Sequence, residues 1–405
     1  MDDARVLDSP YAWRRLGLTL LAGIVGNIGM WSIIVVMPAI EAEFGTDRGA
    51  ASLPYTLTMI GFAFGNLLIG RAVDRYGIAR SLGGASLLVA IGFGLAALAP
   101  NMTLLTAAQF LIGFGAAASF GPLIADISHW FKRRRGVAVA VAASGNYLSG
   151  AIWPMVLSGL LASEGWRAVY WALAALTLAT MLPMAIGLRR RLRLSAQASA
   201  AQAAEVAARS AGFRPGALQI LLMLAGLGCC IAMSMPQVHI VSLCVDLGYG
   251  PAVGAEMLSL MLLGGVVSRL VSGAVADYLG GVRTLLIGSA LQCLALFLYL
   301  PFDAMVSLYI VSLIFGLSQG GIVPSYAIIV REYMPAEEAG TRVGLVITAT
   351  IIGMALGGWV SGEIFDLTGS YQMALLHGIL WNVLNIGIML MILTRAGRRM
   401  KTVPA

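Results

Sequence analysis

Arg269 is the residue of this chain best suited to chemistry, because it lies within the long apolar stretch from Gly254 to Ala276. A guanidinium keeps its proton in proteins, and a charge at membrane depth normally faces a cavity and serves a function. On one helix, with a rise of about 1.5 Å per residue, the nearest acids, Glu256 and Asp277, lie roughly 20 Å and roughly 12 Å away. Neither reaches the guanidinium. We therefore predict that Arg269 binds an anion that comes from outside the protein.

Two titratable residues in the preceding apolar stretch could take part in the same chemistry. His239 is expected roughly 14 Å from the outer end of its helix and Arg269 roughly 20 Å along the next, an offset of about 6 Å that a small acid could bridge. Imidazole titrates close to neutral pH, so His239 could carry a proton. Asp246 is seven residues further on and shares a helix face with His239. The alternatives are a packed histidine bonded to a backbone carbonyl and an aspartate at the helix end.

Further side chains could line a cavity around the anion. Asn27, Asn66 and Asn146 are available in the first half of the chain. No nucleophile with a base partner and no metal-ligand cluster is evident in the sequence, so neither an enzyme nor a cofactor is expected. The candidate substrate contacts, besides Arg269 and His239, are Ser119, Phe120, Tyr147 and Gln319.

The composition indicates an integral membrane protein. Of the 405 residues 59% are hydrophobic and only 11% are charged, whereas a soluble domain carries about 25% charged residues. A hydrophobic stretch of about 20 residues can cross a bilayer. Twelve such stretches lie at 15–40, 50–71, 80–98, 103–127, 136–161, 166–187, 216–245, 252–274, 282–300, 304–329, 340–364 and 371–394.

The basic residues indicate the orientation of the chain rather than a nucleic-acid partner. The net charge is +7, and of the 26 lysines and arginines all but Arg48, Arg167 and Arg269 fall in the termini and alternate loops. Lysine and arginine are enriched in cytoplasmic loops, so an even number of spans places both termini in the cytoplasm. We expect a plasma-membrane protein, in a bacterium one of the inner membrane, with no nucleic-acid partner.

The spans divide into two halves of six. The segment between them is rich in arginine and then in Ala, Gln and Ser, which predicts a cytoplasmic connector lying as an amphipathic helix on the membrane. Pro236 and Pro324 are expected to interrupt two spans, as in helices that line a cavity. The predicted regions are a cytoplasmic N-terminus 1–14, a bundle 15–187, the connector 188–215, a second bundle 216–394 and a cytoplasmic tail 395–405.

Two loops repeat one spacing of glycines and charges. Gly70-x-x-x-Asp74-Arg75-x-Gly77-x-x-Arg80 follows the second span, and Gly273-x-x-x-Asp277-x-x-Gly280-x-x-Arg283 follows the eighth, 203 residues later. Related halves with a site between them are typical of secondary transporters. A carboxylate in such a loop can cap a neighbouring helix and hold the halves in one state. We therefore assign conformational switching to Asp74, Arg75, Arg80, Asp277 and Arg283.

The repeated loops resemble the cytoplasmic motif of the major facilitator superfamily. The run Trp130-Phe131-Lys132-Arg133-Arg134-Arg135-Gly136 is similar to the fourth-to-fifth helix segment of monocarboxylate porters and of the related oxalate/formate antiporters. The segment from Pro236 through His239 and Asp246 to Gly248, continued by Arg269, is similar to helices seven and eight of the same porters. The resemblance implies a two-bundle fold and transport of small carboxylates, usually coupled to protons.

The chain departs from that family at three positions. Animal members often carry an acid one turn before the helix-eight arginine, where this chain has Gly265, and a lysine in helix one, where it offers Asn27. Oxalate antiporters place a second basic residue in helix eleven, whereas here Arg342, at the start of that span, is its one cation. A single central positive charge suits a single carboxylate.

We predict an all-α membrane protein of two six-helix bundles that carries a small monocarboxylate, such as lactate or pyruvate, by proton symport with alternating access. Asp246 and His239 are the candidate proton carriers. The alternatives are an organic-anion antiporter of the oxalate/formate type and a carboxylate sensor that does not transport. The expected partners are the carboxylate, protons and the lipid bilayer, and we expect a monomer.

Overall fold

The computed structural model describes residues 7–131, 134–190, 213–301, 303–334 and 339–400. Lys132 and Arg133, most of the connector and both chain ends lie outside these residues, as does the side chain of Asp74. Within the described residues the secondary structure is helical and contains no strand.

The first group of helices precedes the connector. Three of them are capped by Ser9, Asp47 and Asn101, whose side chains accept a hydrogen bond from the backbone N–H three residues further on. Such a cap satisfies a donor that the first turn leaves unpaired. The helices are α1 (Pro10–Gly26), α2 (Ile28–Phe44), α3 (Arg48–Tyr76), α4 (Ile78–Ala97), α5 (Met102–Ala116), α6 (Gly121–Ser128) and α7 (Arg135–Gly187).

The second group of helices follows the connector and contains the predicted anion site. Its helices are α8 (Pro215–Asp246), α9 (Pro251–Leu279), α10 (Gly281–Tyr299), α11 (Met305–Gln319), α12 (Ile322–Tyr333), α13 (Ala339–Thr368) and α14 (Tyr371–Met400).

Eleven helical stretches of the described chain are long and apolar enough to cross a membrane. One of them, Val137–Gly187, has 51 residues. At about 1.5 Å per residue it is more than twice as long as the roughly 30 Å hydrocarbon core. Its backbone leaves the helical region at Gly165, where φ is 79° and ψ is 172°, and this turn separates the predicted fifth and sixth spans. The prediction of an all-α protein with twelve membrane spans is confirmed.

The repeat seen in the two loops extends over whole helices. α3 and α9 begin and end 203 residues apart, and so do α5 and α11. Gly77 and Gly280 occupy equivalent places in the repeated loops, with φ of 85° and 79° and ψ of 163° and 165°. This backbone conformation is essentially restricted to glycine. The turn between the helices therefore requires the glycine of each motif copy.

The predicted fourth and tenth spans are both broken at the same place in the repeat. α5 ends at Ala116 and α6 begins at Gly121, with a short 3₁₀ turn between them. α11 ends at Gln319 and α12 begins at Ile322. The first span is also divided, at Asn27 between α1 and α2. A break releases backbone groups from helical hydrogen bonding, so these points can bind side chains or a ligand.

The two prolines expected to interrupt spans behave differently. Pro324 lies in the first turn of α12, directly after a break, as expected. Pro236 lies inside α8, which continues to Asp246, so the interruption predicted there is wrong. One missing backbone hydrogen bond is tolerated where neighbouring helices pack around the proline.

The chain forms two compact units, and the connector is not the only point at which it passes from one unit to the other. The first unit contains α1 to α7 with Gln237–Leu263 and Gly358–Ser370, and the second contains the rest of α8, α9 and α13 with α10 to α12 and α14. Three helices thus contribute to both units, and the division within each of these helices adjoins a residue at which helices readily bend. These residues are Pro236, Gly264 and Gly357.

Within the first unit, α3 and α5 cross in direct contact. A Cβ added at Gly113 would lie 1.9 Å from the carbonyl oxygen of Thr58, so no other residue fits there. The hydroxyl of Thr58 donates to Gln109 Oε1 at 3.0 Å, and Gln109 Nε2 donates to the hydroxyl of Tyr170 at 2.6 Å. All of these groups are buried. The hydrogen bonds fix the register of three helices in the apolar interior, where an unpaired polar group would be costly.

Candidate functional site

Arg269 lies in α9 and in the second unit, with only 8% of its surface exposed. Its Nε donates a hydrogen bond of 3.3 Å to the carbonyl oxygen of Gly320. That carbonyl belongs to the break between α11 and α12. The broken span therefore holds the plane of the guanidinium, which a two-point contact with a carboxylate requires.

The glycine at this break allows the two spans to touch. A Cβ added at Gly320 would lie 2.1 Å from the carbonyl oxygen of Gly265, one turn before Arg269. This distance excludes any side chain, so the backbones of α9 and of the break are in contact. Gln319, a predicted substrate contact, is the last residue of α11 and is fully buried.

The first unit places an uncharged residue at the equivalent position. The repeat aligns Asn66 of α3 with Arg269 of α9. Asn66 Nδ2 donates to the carbonyl of Phe62 at 2.8 Å, and a Cβ added at Gly121 would lie 2.7 Å from Asn66 Oδ1. In each repeat a polar side chain thus lies beside a broken span. In the first repeat it is the neutral Asn66, and in the second it is the cation Arg269.

A buried asparagine pair positions Ser119. Asn27 Nδ2 donates to the carbonyls of Gly23 at 2.7 Å and Ser119 at 3.1 Å. Asn146 Nδ2 donates to Asn27 Oδ1 at 3.2 Å, and Trp31 Nε1 donates to the carbonyl of Asn146 at 3.1 Å. The breaks of the first and fourth spans and the helix α7 therefore meet at one polar network inside the first unit.

Phe120 and Tyr147, the other predicted contacts, also lie in the first unit. Phe120 joins the 3₁₀ turn to α6, and its ring centroid lies 6.0 Å from that of Phe62. Tyr147 follows Asn146 on α7 and is buried. The predicted substrate contacts are therefore divided between the two units, with Arg269 and Gln319 in the second.

His239 is fully buried on α8, in the first unit. Its Nε2 lies 2.7 Å from the carbonyl oxygen of Gly358 on α13. Because a carbonyl only accepts, Nε2 is the donor. This is the geometry of a packed histidine, one of the two interpretations that the sequence leaves open, and the proton-carrying role stays a prediction.

Asp246, the last residue of α8, forms a two-point salt bridge with Arg48. Arg48 Nη1 donates to Asp246 Oδ2 at 3.0 Å, and Nη2 donates to Oδ1 at 3.1 Å. Arg48 also lies 2.8 Å from the carboxylate of Glu41. Asp246 is therefore more than a residue at a helix end, because its carboxylate holds a buried cation of α3. Its predicted proton-carrying role stays a prediction.

Sequence reasoning missed Arg48 as a functional candidate. It treated Arg48 as one of two cations outside the membrane, although the segment Glu41-Ala-Glu43-Phe-Gly-Thr-Asp47-Arg48 is strongly acidic. A single cation among acids is the signal that could have identified it, because opposite charges that are close in sequence often pair. The acids of α8 and α13 that join it are too distant in sequence to be found that way.

The comparison with known families decides the class of the protein. The model of the family described as the Major Facilitator Superfamily matches residues 19–358 and 220–404. The chain belongs to the Major Facilitator Superfamily. The match to this family and the relatives that are named as transporters show that the protein is a membrane transporter rather than an enzyme.

Relatives of this superfamily member cover most of the chain. Monocarboxylate transporter 13 of Bos taurus is 27% identical over 358 residues, 87% of this chain and 81% of that protein. The agnestins efflux protein of Paecilomyces divaricatus is 24% identical over 363 residues, 88% of this chain and 80% of that protein. Both similarities extend across the two repeats.

A solved structure shows the same superfamily fold. It is the crystal structure of a bacterial homolog of the human lysosomal transporter Spinster, in an inward-facing and unoccupied conformation. The TM-score is 0.71, and the match covers 98% of this chain and 100% of that chain. At 14% sequence identity the likeness concerns the fold alone.

The loops that resemble the superfamily motif expose their charged side chains. Arg75, Arg80, Asp277 and Arg283 are all exposed. The guanidinium of Arg75 lies 5.3 Å from the ring centroid of Tyr76. The switching role of these residues is not tested by this geometry and stays a prediction.

The carboxylate that caps α10 next to the second loop belongs to Glu332. The backbone N–H of Gly281 donates to Oε1 and Oε2 of Glu332 at 3.0 and 3.1 Å. Glu332 lies at the end of α12, and a negative charge at a helix N-terminus is stabilising. Sequence reasoning missed this residue because the repeat gives no hint of it: the equivalent position is His129.

Proposed function

We propose that the protein carries small monocarboxylates, such as lactate or pyruvate, together with a proton, by alternating access. The observation behind this proposal is the buried Arg269 in a membrane-spanning helix, held by the carbonyl of a broken span. A guanidinium keeps its charge when buried, and its planar donors match a carboxylate in a two-point contact. An anionic substrate of modest size satisfies both properties.

The relatives support the substrate class. Monocarboxylate transporter 13 of Bos taurus and of Rattus norvegicus are 27% and 26% identical, and each match covers 87% of this chain. Their names describe those proteins. Together with the single arginine in the eighth span, they favour a substrate with one carboxylate over one with two.

In the proposed cycle the substrate carboxylate binds Arg269 and a proton binds His239 or Asp246. The carboxylate of the substrate then offsets the positive charge of Arg269 while the loaded carrier changes state, since a charge is costly at membrane depth, and the proton crosses with the substrate. Ser119, Phe120, Tyr147 and Gln319 are the proposed further substrate contacts. The proposed switch residues are Asp74, Arg75, Arg80, Asp277 and Arg283.

Uptake of radiolabelled lactate into liposomes containing the purified protein tests the proposal. With an acidic outside we expect accumulation by the unaltered protein. Arg269→Gln should lower the initial rate at least about 30-fold, because losing one member of a buried charged pair costs about 2 kcal/mol or more. Arg269→Lys keeps the charge but not the planar fork and should give an intermediate rate.

Arg14→Gln is the matched control, since Arg14 is an exposed arginine near the start of α1 and should leave the rate unchanged. Normal lactate uptake by Arg269→Gln would contradict the role of Arg269. Failure of the unaltered protein to accumulate any small monocarboxylate would contradict the proposed function itself.

A second candidate is exchange of organic anions or export of a larger organic acid. The relative named as an agnestins efflux protein favours it. Substrate loaded inside the liposomes should then accelerate uptake, and the pH gradient should have no effect. A sensor that does not transport would be stabilised against heat by the acid but would not accumulate it.

A further inference from the structure

Arg48, the first residue of α3, is buried although the sequence places it in a loop outside the membrane; only 6% of it is exposed. Its Nε lies 2.8 Å from Glu41, and its terminal nitrogens donate to both oxygens of Asp246. Its guanidinium lies 4.7 Å from the ring centroid of Phe365. One cation therefore joins side chains of α2, α8 and α13.

The backbone at the start of α3 makes a further charged contact. The N–H groups of Arg48 and Gly49 donate to the two carboxylate oxygens of Asp366, at 2.9 and 2.5 Å. Asp366 lies near the end of α13. Its negative charge is stabilised by the N-terminus of α3, where backbone donors have no partner within the helix.

The helices also touch beside these charges. A Cβ added at Gly362 of α13 would lie 2.8 Å from the carbonyl oxygen of Arg48 and 3.0 Å from Gly49 Cα. The first distance is too short for a Cβ and the second is tight, so α13 is in direct backbone contact with the start of α3. This backbone contact does not depend on charge. A larger residue at Gly362 would therefore disturb the same end of the protein without changing any of its charges.

These contacts join the two sequence repeats. Glu41 and Arg48 precede the connector, whereas Asp246 and Asp366 follow it. A carrier built from two repeats gives access to its site by moving one against the other. We propose that Glu41, Arg48, Asp246 and Asp366, here named the Arg48 cluster, form a proton-sensitive latch that closes the end of the carrier expected to face outside. The inference rests on the proposed function, since it names the contact that controls proton-coupled access.

The charges of the cluster do not balance. Three carboxylates share one guanidinium and the N-terminus of α3, which carries about half a positive charge. Asp246 is paired with Arg48, and Asp366 accepts from the N-terminus of α3. Glu41 is different: burial in the first place, and the nearby carboxylates of Asp246 and Asp366 in addition, raise its pKa. Other titratable groups near the cluster are Asp47, which caps α3, Glu363, which accepts from Trp359 Nε1, and His239, two turns before Asp246. Glu43, the other acid near the end of α2, is paired with Arg167.

The sign of the pH effect follows from the position of Glu41. The closed cluster buries Glu41 near two other carboxylates, and opening exposes it to water, so the closed state holds a proton on Glu41 more tightly. By linkage, acid favours closure and alkaline solution favours opening. A proton taken from the outside would therefore help to close the carrier over its substrate, which is the order of events that symport needs.

A cysteine at Leu262 can report whether this end is open. Leu262 is fully buried on α9, and its Cδ1 lies 2.3 Å from where a Cβ at Gly150 of α7 would be. Opening would separate α9 from α7 and expose position 262. The measurement is labelling of Leu262→Cys by a maleimide that does not cross membranes, resolved by peptide and normalised to the unfolded protein at the same pH.

In this background we expect Arg48→Gln to raise labelling at pH 8 by about tenfold or more, since losing one partner of a buried charged pair shifts an equilibrium by at least that factor. Gly362→Ala should also raise labelling, through the steric clash alone.

The pH response is tested separately. Labelling of the starting variant should fall between pH 8 and pH 6, whereas labelling of the Glu41→Gln variant should be low at both pH values. Arg167→Gln, an exposed arginine paired with Glu43, is the control and should change nothing.

Unchanged labelling in both Arg48→Gln and Gly362→Ala would overturn the latch. A pH response in Glu41→Gln equal to that of the starting variant would overturn its proton sensitivity. Neither readout needs a substrate, so the latch and the proposed substrate class can fail separately: absence of lactate uptake bears on the second, and the labelling pattern bears on the first.

Discussion

Two ion pairs in the first unit show how burial decides the importance of a charged contact. Arg15 is 2% exposed, and its Nε and Nη2 donate to Asp126 Oδ2 at 3.0 and 2.7 Å. Its guanidinium also lies 4.4 Å from the ring centroid of Trp130. Arg167 and Glu43 are paired as well, but both side chains are 40% exposed. Water screens the second pair and not the first.

Asp126→Asn should therefore destabilise the protein much more than Glu43→Gln. Leaving Arg15 buried without a counter-charge should lower the free energy of unfolding by about 3 kcal/mol. Breaking the exposed pair should cost less than about 1 kcal/mol. Thermal unfolding of the purified protein in detergent measures both. Equal losses in the two variants would show that burial does not separate these pairs.

Among single residues, the sequence identified the apolar positions of Arg269 and His239 because hydrophobic runs can be read locally. It could not identify what holds them. Arg269 is oriented by the carbonyl of Gly320, 51 residues away, and His239 by that of Gly358, 119 residues away. A backbone carbonyl carries no sequence signature, so these partners appear only when the helices are packed.

At the scale of elements, the broken span next to Arg269 depends on a glycine. In Gly320→Ala the added methyl group would lie 2.1 Å from the carbonyl oxygen of Gly265. The helices must move apart, so we expect a loss of about 2 kcal/mol in unfolding free energy. Lactate uptake should fall with it, because the carbonyl that orients Arg269 is displaced.

Gly344→Ala is the control for this change, since nothing lies within 4 Å of a Cβ at that position of α13. Alanine favours a helix over glycine by about 0.5–1 kcal/mol, so this variant should be equally or more stable. Thermal unfolding and liposome uptake measure both variants. If Gly320→Ala kept full stability and uptake, backbone contact at the break would not be required.

At the scale of the whole molecule, we expect lactate uptake to be coupled to the proton gradient. We expect the initial rate of lactate uptake to rise as the external pH falls, because protons outside are the co-substrate. The double variant His239→Gln, Asp246→Asn should lose this stimulation while still binding lactate in a thermal-shift assay. Acid-stimulated uptake that persists in the double variant would show that the proton travels by another route.

The number of spans and their repeat were determined by the sequence, because both depend on local properties. The length of an apolar run reports the thickness of the bilayer. Gly77 and Gly280 mark turns that no other residue readily adopts. These features need no knowledge of which helices are neighbours.

Only the tertiary structure decided which charges meet. Arg48 joins Asp246 and Asp366, which are 198 and 318 residues away in sequence. It also decided where the fourth and tenth spans break and how α8, α9 and α13 are shared between the two units. Each of these features depends on contacts between helices that are distant in sequence. The residue pattern within one span does not show which helices will be its neighbours.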